Sequence, residues 1–272
     1  MNSIATNTTA VRVQYHGIKN TNLETEAFTR LSSGLRITDA SDDAAGLFIA
    51  GRMKAQITGL ERAVHNSFDG ISLVNTAEAN LNEIRNIVLR MREIAVQMAN
   101  GIYLDNPDRG FAQIEIDQLM QQIDLIAENA NCSGVALLEG TMQNVGIQTG
   151  PTANERPSIF FKDNTSSGLG INTVEVTTQN NAKTAMVTLN TALTSISDEL
   201  SRAGAYENRF GHTISVIEKT AKATKVSRGR IMDADIAAES TKLSKAQVLA
   251  QANTAMLAQA NQSISRILTL FN

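Results

Sequence analysis

The 272 residues carry a net charge of −3 with a pI near 5.7, so no basic face points to nucleic acid or anionic lipid. Aromatic residues make up only 4% and tryptophan is absent, a composition suited to thin helix–helix seams rather than a thick enzyme-like core. A single cysteine, Cys132, excludes an internal disulfide, and no run approaches the roughly 20 apolar residues that span a bilayer.

In chain order, the first 22 residues place Ile4, Val11, Tyr15 and Ile18 on one side of a helix, with Arg12 and Lys19 as the only charges. The start "MNSIATNTTAVRV" has no basic region followed by an apolar run, so it does not read as a cleavable Sec signal. A helix is expected over 41–99, capped by Ser41 or Asp39, with Asp42 and Asp43 at its positive end. At 1.5 Å per residue it would be about 90 Å long, which demands a rod rather than a globule. Within it Val74, Ala77, Leu81, Ile84, Val88, Met91, Ala95 and Met98 alternate spacings of 3 and 4, an uninterrupted coiled-coil seam. Gly59 and Gly70 interrupt its propensity and fit a close approach or a slight bend.

All three prolines lie in the middle of the chain. Asn106–Pro107–Asp108 reads as a turn or helix start, and a third helix follows over 111–131 with Phe111, Ile114, Leu119, Ile123 and Ile126 as its apolar residues. The runs "VALLEG", "NVGIQTG", "PSIFFKD" and "NTVEVTT" within 135–178 read as strands in one or two hairpins. Leu189, Leu193, Ile196, Leu200, Ala203, Tyr206, Phe210, Ile214, Ile217, Ala221 and Thr224 then form a second seam, most simply paired antiparallel with the first. From Ala246 onward the only charged side chain is Arg266, and Leu249, Ala252, Met256, Ala260, Ile264, Ile267 and Phe271 make a last stripe. Such narrow stripes offset little ordering entropy alone, so both ends are expected to become helical against copies of themselves; the alternative is a helical hairpin closed within one chain.

The fold class expected is therefore mainly α, with long antiparallel coiled-coil-like helices from both chain ends, a third helix and a small β-hairpin region in the middle. Nothing in the sequence reads as an active site or a metal or cofactor site. His16, His65 and His212 are isolated, "SSGLG" (166–170) lacks phosphate-loop spacing, and Asp42–Asp43 and Asp233–Asp235 sit where helices start.

"RLSSGLRITDASDDAAGLFIA" (30–50) closely resembles the N-terminal signature of bacterial flagellins, and "SRGRIMDADIAAESTKLSKAQVLAQANTAMLAQANQSISRILTLF" (227–271) resembles their C-terminal region. "LRMREIAVQMANGIY" (89–103) and "QIEIDQLMQQID" (113–124) are similar to the family's first core domain. The resemblance implies a flagellar filament subunit: residues 1–40 and 233–272 pair as an inner polymerisation domain, 41–232 form a rod, and about 132–185 form its short β-containing tip. It implies that the polymerising stripes are the terminal ones, Leu31 included. It also implies copies of itself as partners, together with the flagellar type III export apparatus, an export chaperone, and cap and junction proteins. Leu89, Arg90, Arg92, Glu93, Ile94 and Glu115 match the surface read by the animal innate receptor for flagellin, a surface that otherwise serves lateral packing. Location would be a secreted extracellular filament or, alternatively, a periplasmic one. The competing readings are a hook–filament junction protein and a cytosolic coiled-coil binding module. One departure from the family is "NANCSGVALLEG" (129–140), with a cysteine where flagellins usually carry an aromatic.

Overall fold

The computed structural model describes residues 6–142 and 144–269. Its helices are α1 (Thr8–Ser33), α2 (Ala44–Met98), α3 (Gly110–Asn129), α4 (Gln179–Met232) and α5 (Ile236–Thr269). A π-helical turn, Asp105–Arg109, leads into α3, and four two-residue strands follow it: β1 (Asn131–Cys132), β2 (Val135–Ala136), β3 (Val145–Gly146) and β4 (Ser158–Ile159). The chain divides into two compact units, 56–221 and a second built from 1–55 with 222–272. The divide thus falls inside α2 and α4, whereas the sequence suggested 40/41 and 232/233.

In the 56–221 unit, Val74, Ala77, Leu81, Ile84, Val88, Met91, Ala95 and Met98 are all buried on one side of α2. Facing them in the same core are Leu189, Ile196, Ala203 and Phe210 of α4, with Leu193, Leu200 and Tyr206 partly covered. The α3 face differs from expectation. Its buried residues are Ile116, Ile123 and Ala127, with Leu119, Met120 and Ile126 alongside, while Phe111 (69% exposed) and Ile114 (59%) face outward. The helix is amphipathic as read, but rotated away from its two N-terminal apolar residues. Gly70 leaves room for a close approach, since a Cβ there would lie 3.2 Å from Phe210 and 3.3 Å from Ile147.

The β region forms two antiparallel pairs of two-residue strands, in keeping with the one or two hairpins expected. β1 and β2 form an antiparallel hairpin closed by Ser133 and Gly134, both at positive φ as a tight two-residue turn requires. β3 and β4 form the second pair. "NTVEVTT" is not a strand. Its Val174 and Val176 are buried, and one side chain meets part of their backbone: Gln113 Nε2 donates to the Val174 carbonyl at 3.3 Å, and the Val176 N–H donates to Gln113 Oε1 at 2.7 Å, while the Val174 N–H donates to the Ile171 carbonyl at 3.0 Å. A glutamine on α3 takes the place of a neighbouring strand.

The end of α2 is tied by Arg109, a residue with no periodic signal in the sequence. Its buried guanidinium donates to the carbonyls of Met98 (2.9 Å), Asn100 (2.9 Å) and Tyr103 (2.7 Å) and pairs with Asp105. A helix leaves its last carbonyls without intrahelical donors, and a cation there also opposes the negative end of the helix.

In the second unit, α1 and α5 run antiparallel. Asn7 Nδ2 donates to the Ala260 carbonyl at 3.1 Å, Asn20 Nδ2 to the Ala246 carbonyl at 2.6 Å, and Arg30 lies 3.7 Å from Glu239. Among the described residues, α1 and α5 are thus paired within one chain, as in the hairpin that the sequence left as the alternative. Gly34, at φ 69°, terminates α1 through its N–H to the Arg30 carbonyl. Beyond it, Arg36 N–H donates to Met232 O (2.6 Å) and Ala234 N–H to Gly34 O (3.0 Å), while Ile37, Ala50 and Met232 close a small core.

Two capping assignments change. The cap of α2 is Asp43, whose Oδ1 accepts the Gly46 N–H at 2.9 Å, rather than Ser41 or Asp39. Asp42 turns back instead and accepts from the Thr38 N–H (2.9 Å), the Thr38 hydroxyl (3.0 Å) and the Asp39 N–H (3.3 Å). Asp235 caps α5 by accepting from Ala237 and Ala238, as its position before a helical stretch led one to expect.

Candidate assembly surface

Each terminal helix carries two faces. Inside the α1–α5 pair, Val13, Gly17, Asn20, Glu24 and Ala27 alternate spacings of 4 and 3 and are buried or half-buried. They meet Leu243, Ala246, Ala250, Asn253, Leu257 and Ala260, which alternate 3 and 4. This seam is made largely of small and polar side chains. Between Gly17 and Ala250, where neither residue fills the space, a groove of about 410 Å³ remains.

Several other large apolar residues point outward. Val11 is 58% exposed, Tyr15 68% and Ile18 61%, and Leu249, Ala252 and Met256 are likewise exposed on α5. Two residues expected in those stripes belong to the inner seam instead: Leu31 is half-buried, and Ala260 is buried with its carbonyl occupied by Asn7. Ile4 and Phe271 lie outside the described residues, as do the side chains of Ile264 and Ile267. The signal that would have found the inner seam was available, a strict 3–4 alternation made mostly of Gly, Ala, Asn and Glu, but such residues register weakly when periodicity is weighted by hydrophobicity.

At the α1–α5 end that joins the linker, Arg30 gathers three carboxylates: Glu26 at 2.6 Å, Asp42 at 3.4 Å and Glu239 at 3.7 Å. Hydrogen bonds from the Thr38 and Asp39 backbone hold the Asp42 carboxyl well below its ordinary range, at about 2, and the Arg30 charge adds to this. Lys242 also reaches Glu239, at 2.7 Å.

On the other unit, Arg90 donates to Glu115 at 2.9 Å and to Glu93 at 3.3 Å, and the Glu115 bond above all raises the guanidinium pKa. Arg92 Nε donates to Asn190 Oδ1 at 2.7 Å, and Leu89 is exposed beside them. Ile94 is 3% exposed and belongs to the core, so it contributes nothing to that surface. Phe111, Ile114 and Val96 are exposed residues of the same unit that the sequence reading did not assign to a surface. Cys132 is half-buried and packs against the core. Among the described residues, no group of three His, Cys, Asp or Glu side chains is placed to hold a metal ion, and no helix is long and apolar enough to cross a membrane.

The family model for the bacterial flagellin N-terminal helical region matches residues 4–143, and that for the C-terminal helical region matches 186–271. The chain is 36% identical to flagellin FlaB2 of Treponema pallidum, covering 89% of this chain and 90% of that one. It is 37% identical to a flagellin of Halalkalibacterium halodurans, covering 92% and 93%. Among solved structures, Bacillus cereus flagellin superposes with a TM-score of 0.51 at 30% identity, over 56% of this chain and 88% of that one. A putative flagellar hook-associated protein from Vibrio parahaemolyticus, at 11% identity and a TM-score of 0.59, shares the fold alone. With both terminal regions matched in order and relatives aligned nearly end to end, the chain belongs to the bacterial flagellin family.

Proposed function

We propose that this chain is a structural subunit that self-assembles into the bacterial flagellar filament. The observation that carries the reading is the outward stripe of Val11, Tyr15, Ile18, Leu249 and Met256 on helices already paired through a different seam. A monomer gains nothing from exposing those side chains, whereas a neighbouring copy buries them. Their weakly charged surroundings impose little repulsion between copies. In this reading α1 and α5 form the polymerising domain, and the Arg90–Glu115 face with Phe111 and Ile114 serves lateral packing. That same face is the one an animal innate receptor for flagellin would meet. The subunit leaves the cell through the flagellar type III apparatus with an export chaperone and meets cap and junction proteins at the filament ends. Relatives named flagellar filament core proteins in Treponema phagedenis and Brachyspira hyodysenteriae support a filament role.

Seeded assembly of the purified chain, followed by sedimentation and electron microscopy, tests this. Long helical filaments are expected. Short or absent polymers would favour a junction role, and discrete oligomers a coiled-coil binding module. Microscopy of the source cell separates an external filament from a periplasmic one.

A further inference from the structure

The turn after α2 assembles a reactive arrangement that filament formation does not use. Asn100–Gly101 is the single Asn-Gly pair in the 272 residues, and both residues are exposed. Each carbonyl of Asn100 is polarised by its own donor. The side-chain Oδ1 accepts the Ile102 N–H at 3.3 Å, and the backbone oxygen accepts Nη2 of the buried Arg109 guanidinium at 2.9 Å. We propose that Asn100 is a self-modification site, where the Gly101 backbone nitrogen attacks the Asn100 side-chain amide and converts the asparagine to aspartate and isoaspartate.

The two donors act on the two demands of that reaction. The Gly101 nitrogen must lose its proton before it attacks, and the cationic donor on the adjoining carbonyl withdraws charge from the peptide group and makes that loss easier. As the nitrogen bonds to Cγ, negative charge develops on Oδ1, where the Ile102 N–H already points. Collapse of this adduct breaks the Cγ–Nδ2 bond and, with a proton from water, releases ammonia, leaving a five-membered succinimide. Water then opens the ring at either carbonyl. Cleavage at Cγ gives aspartate, and cleavage at the main-chain carbonyl gives isoaspartate. The net change is addition of water and loss of ammonia, with no oxidant or reductant.

Asparagines inside helices, such as Asn75, Asn80 and Asn190, lack this opportunity. Each is followed by a residue with a side chain, and the following N–H is committed to the helix. Isoaspartate would add one methylene to the main chain among the carbonyls that Arg109 gathers, and either product would place a new negative charge at the C-terminal end of α2. Arg109 here is a positioning residue. The reaction needs only the 56–221 unit and is independent of filament assembly.

The test is incubation of the full chain at mildly alkaline pH, with peptide mass mapping and methylation by an isoaspartate-specific methyltransferase. Expected is an amide-to-acid mass change at Asn100 ahead of every other asparagine, faster as hydroxide rises, and at least as fast in the folded chain as in denaturant. In Gly101→Ala the new Cβ meets only Gln179 Nε2, at 3.5 Å, so the variant keeps its fold and loses the reaction. Arg109→Lys, checked by circular dichroism, should slow the folded reaction while leaving the denatured one unchanged. Slower reaction in the folded chain than in denaturant, or an unaltered Asn100 when other asparagines have reacted, would overturn the proposal. So would a Gly101→Ala variant that reacts like the parent.

Discussion

Ile18→Ser separates the outward stripe from the fold that carries it. Ile18 lies on α1 with 61% of its surface exposed, and serine has nearly the same helix propensity. Fully burying an isoleucine side chain contributes about 1.5–3 kcal/mol. About three-fifths of that remains available to a neighbouring copy, or roughly 1–2 kcal/mol, which is about a 5- to 30-fold rise in the critical concentration for assembly. The two-fifths already covered limits the cost to the monomer to about 1 kcal/mol or less. Sedimentation of pre-formed seeds over a concentration series gives the first quantity, and thermal melting followed by circular dichroism gives the second. An unchanged critical concentration would refute the assignment of this face to assembly. So would a rise that merely follows lost helicity.

Leu81→Asp puts a carboxyl where the parent side chain is fully buried, and should cost about 3 kcal/mol or more, with loss of cooperative melting; an unchanged melting curve would remove the 74–98 seam from the core. Arg109→Met leaves the carbonyls of Met98, Asn100 and Tyr103 without their donor and should cost on the order of 3 kcal/mol, with faster hydrogen exchange at the end of α2. Asp42 has a folded pKa lowered from 3.8 to about 2, so its contribution is complete above about 3.8 and is lost as pH falls towards 2. Asp42→Asn should therefore flatten the acid side of the stability profile, and an NMR titration of this carboxyl near its ordinary value would contradict the assignment. A fragment of residues 41–232 should remain soluble and monomeric without growing filaments, because it lacks both α1 and α5; filaments seen by microscopy would overturn the role given to the ends.

The long seams were legible because burial there is carried by large side chains. Val74 to Met98 and Leu189 to Phe210 repeat every three or four residues, and the strict α2 series is buried throughout. The centre was less legible because its backbone partners are not strands. Gln113 pairs with Val174 and Val176, and Arg109 collects three carbonyls, two arrangements that depend on one side chain meeting a distant stretch of backbone. Propensity and period carry no trace of either. The same holds for α3, where nothing local in the sequence separates the exposed apolar Phe111 and Ile114 from the buried Ile116 and Ile123.

At the ends, two helical patterns share the same helices, and the louder one is not the one that pairs them within the chain. Large apolar residues made the visible stripe, while Gly17, Asn20, Ala27, Ala246 and Ala250 made the actual intrachain seam. Small residues let two helices approach closely, and the buried Asn20 amide donates to the Ala246 carbonyl, but such a seam buries little apolar area. Under the proposed function, a chain that pairs its ends this way leaves its outward hydrophobic side chains for contacts with another copy. Exchanging the two faces would reverse this. Tyr15, Ile18 and Met256 packed within one chain would stabilise the monomer and leave alanine, glycine and asparagine to face its neighbours, a surface far less able to drive association. In the proposed reading the division of labour between the faces therefore follows from which side chains each one carries, and it is this division, more than the total apolar content of the ends, that would suit the chain to assembly.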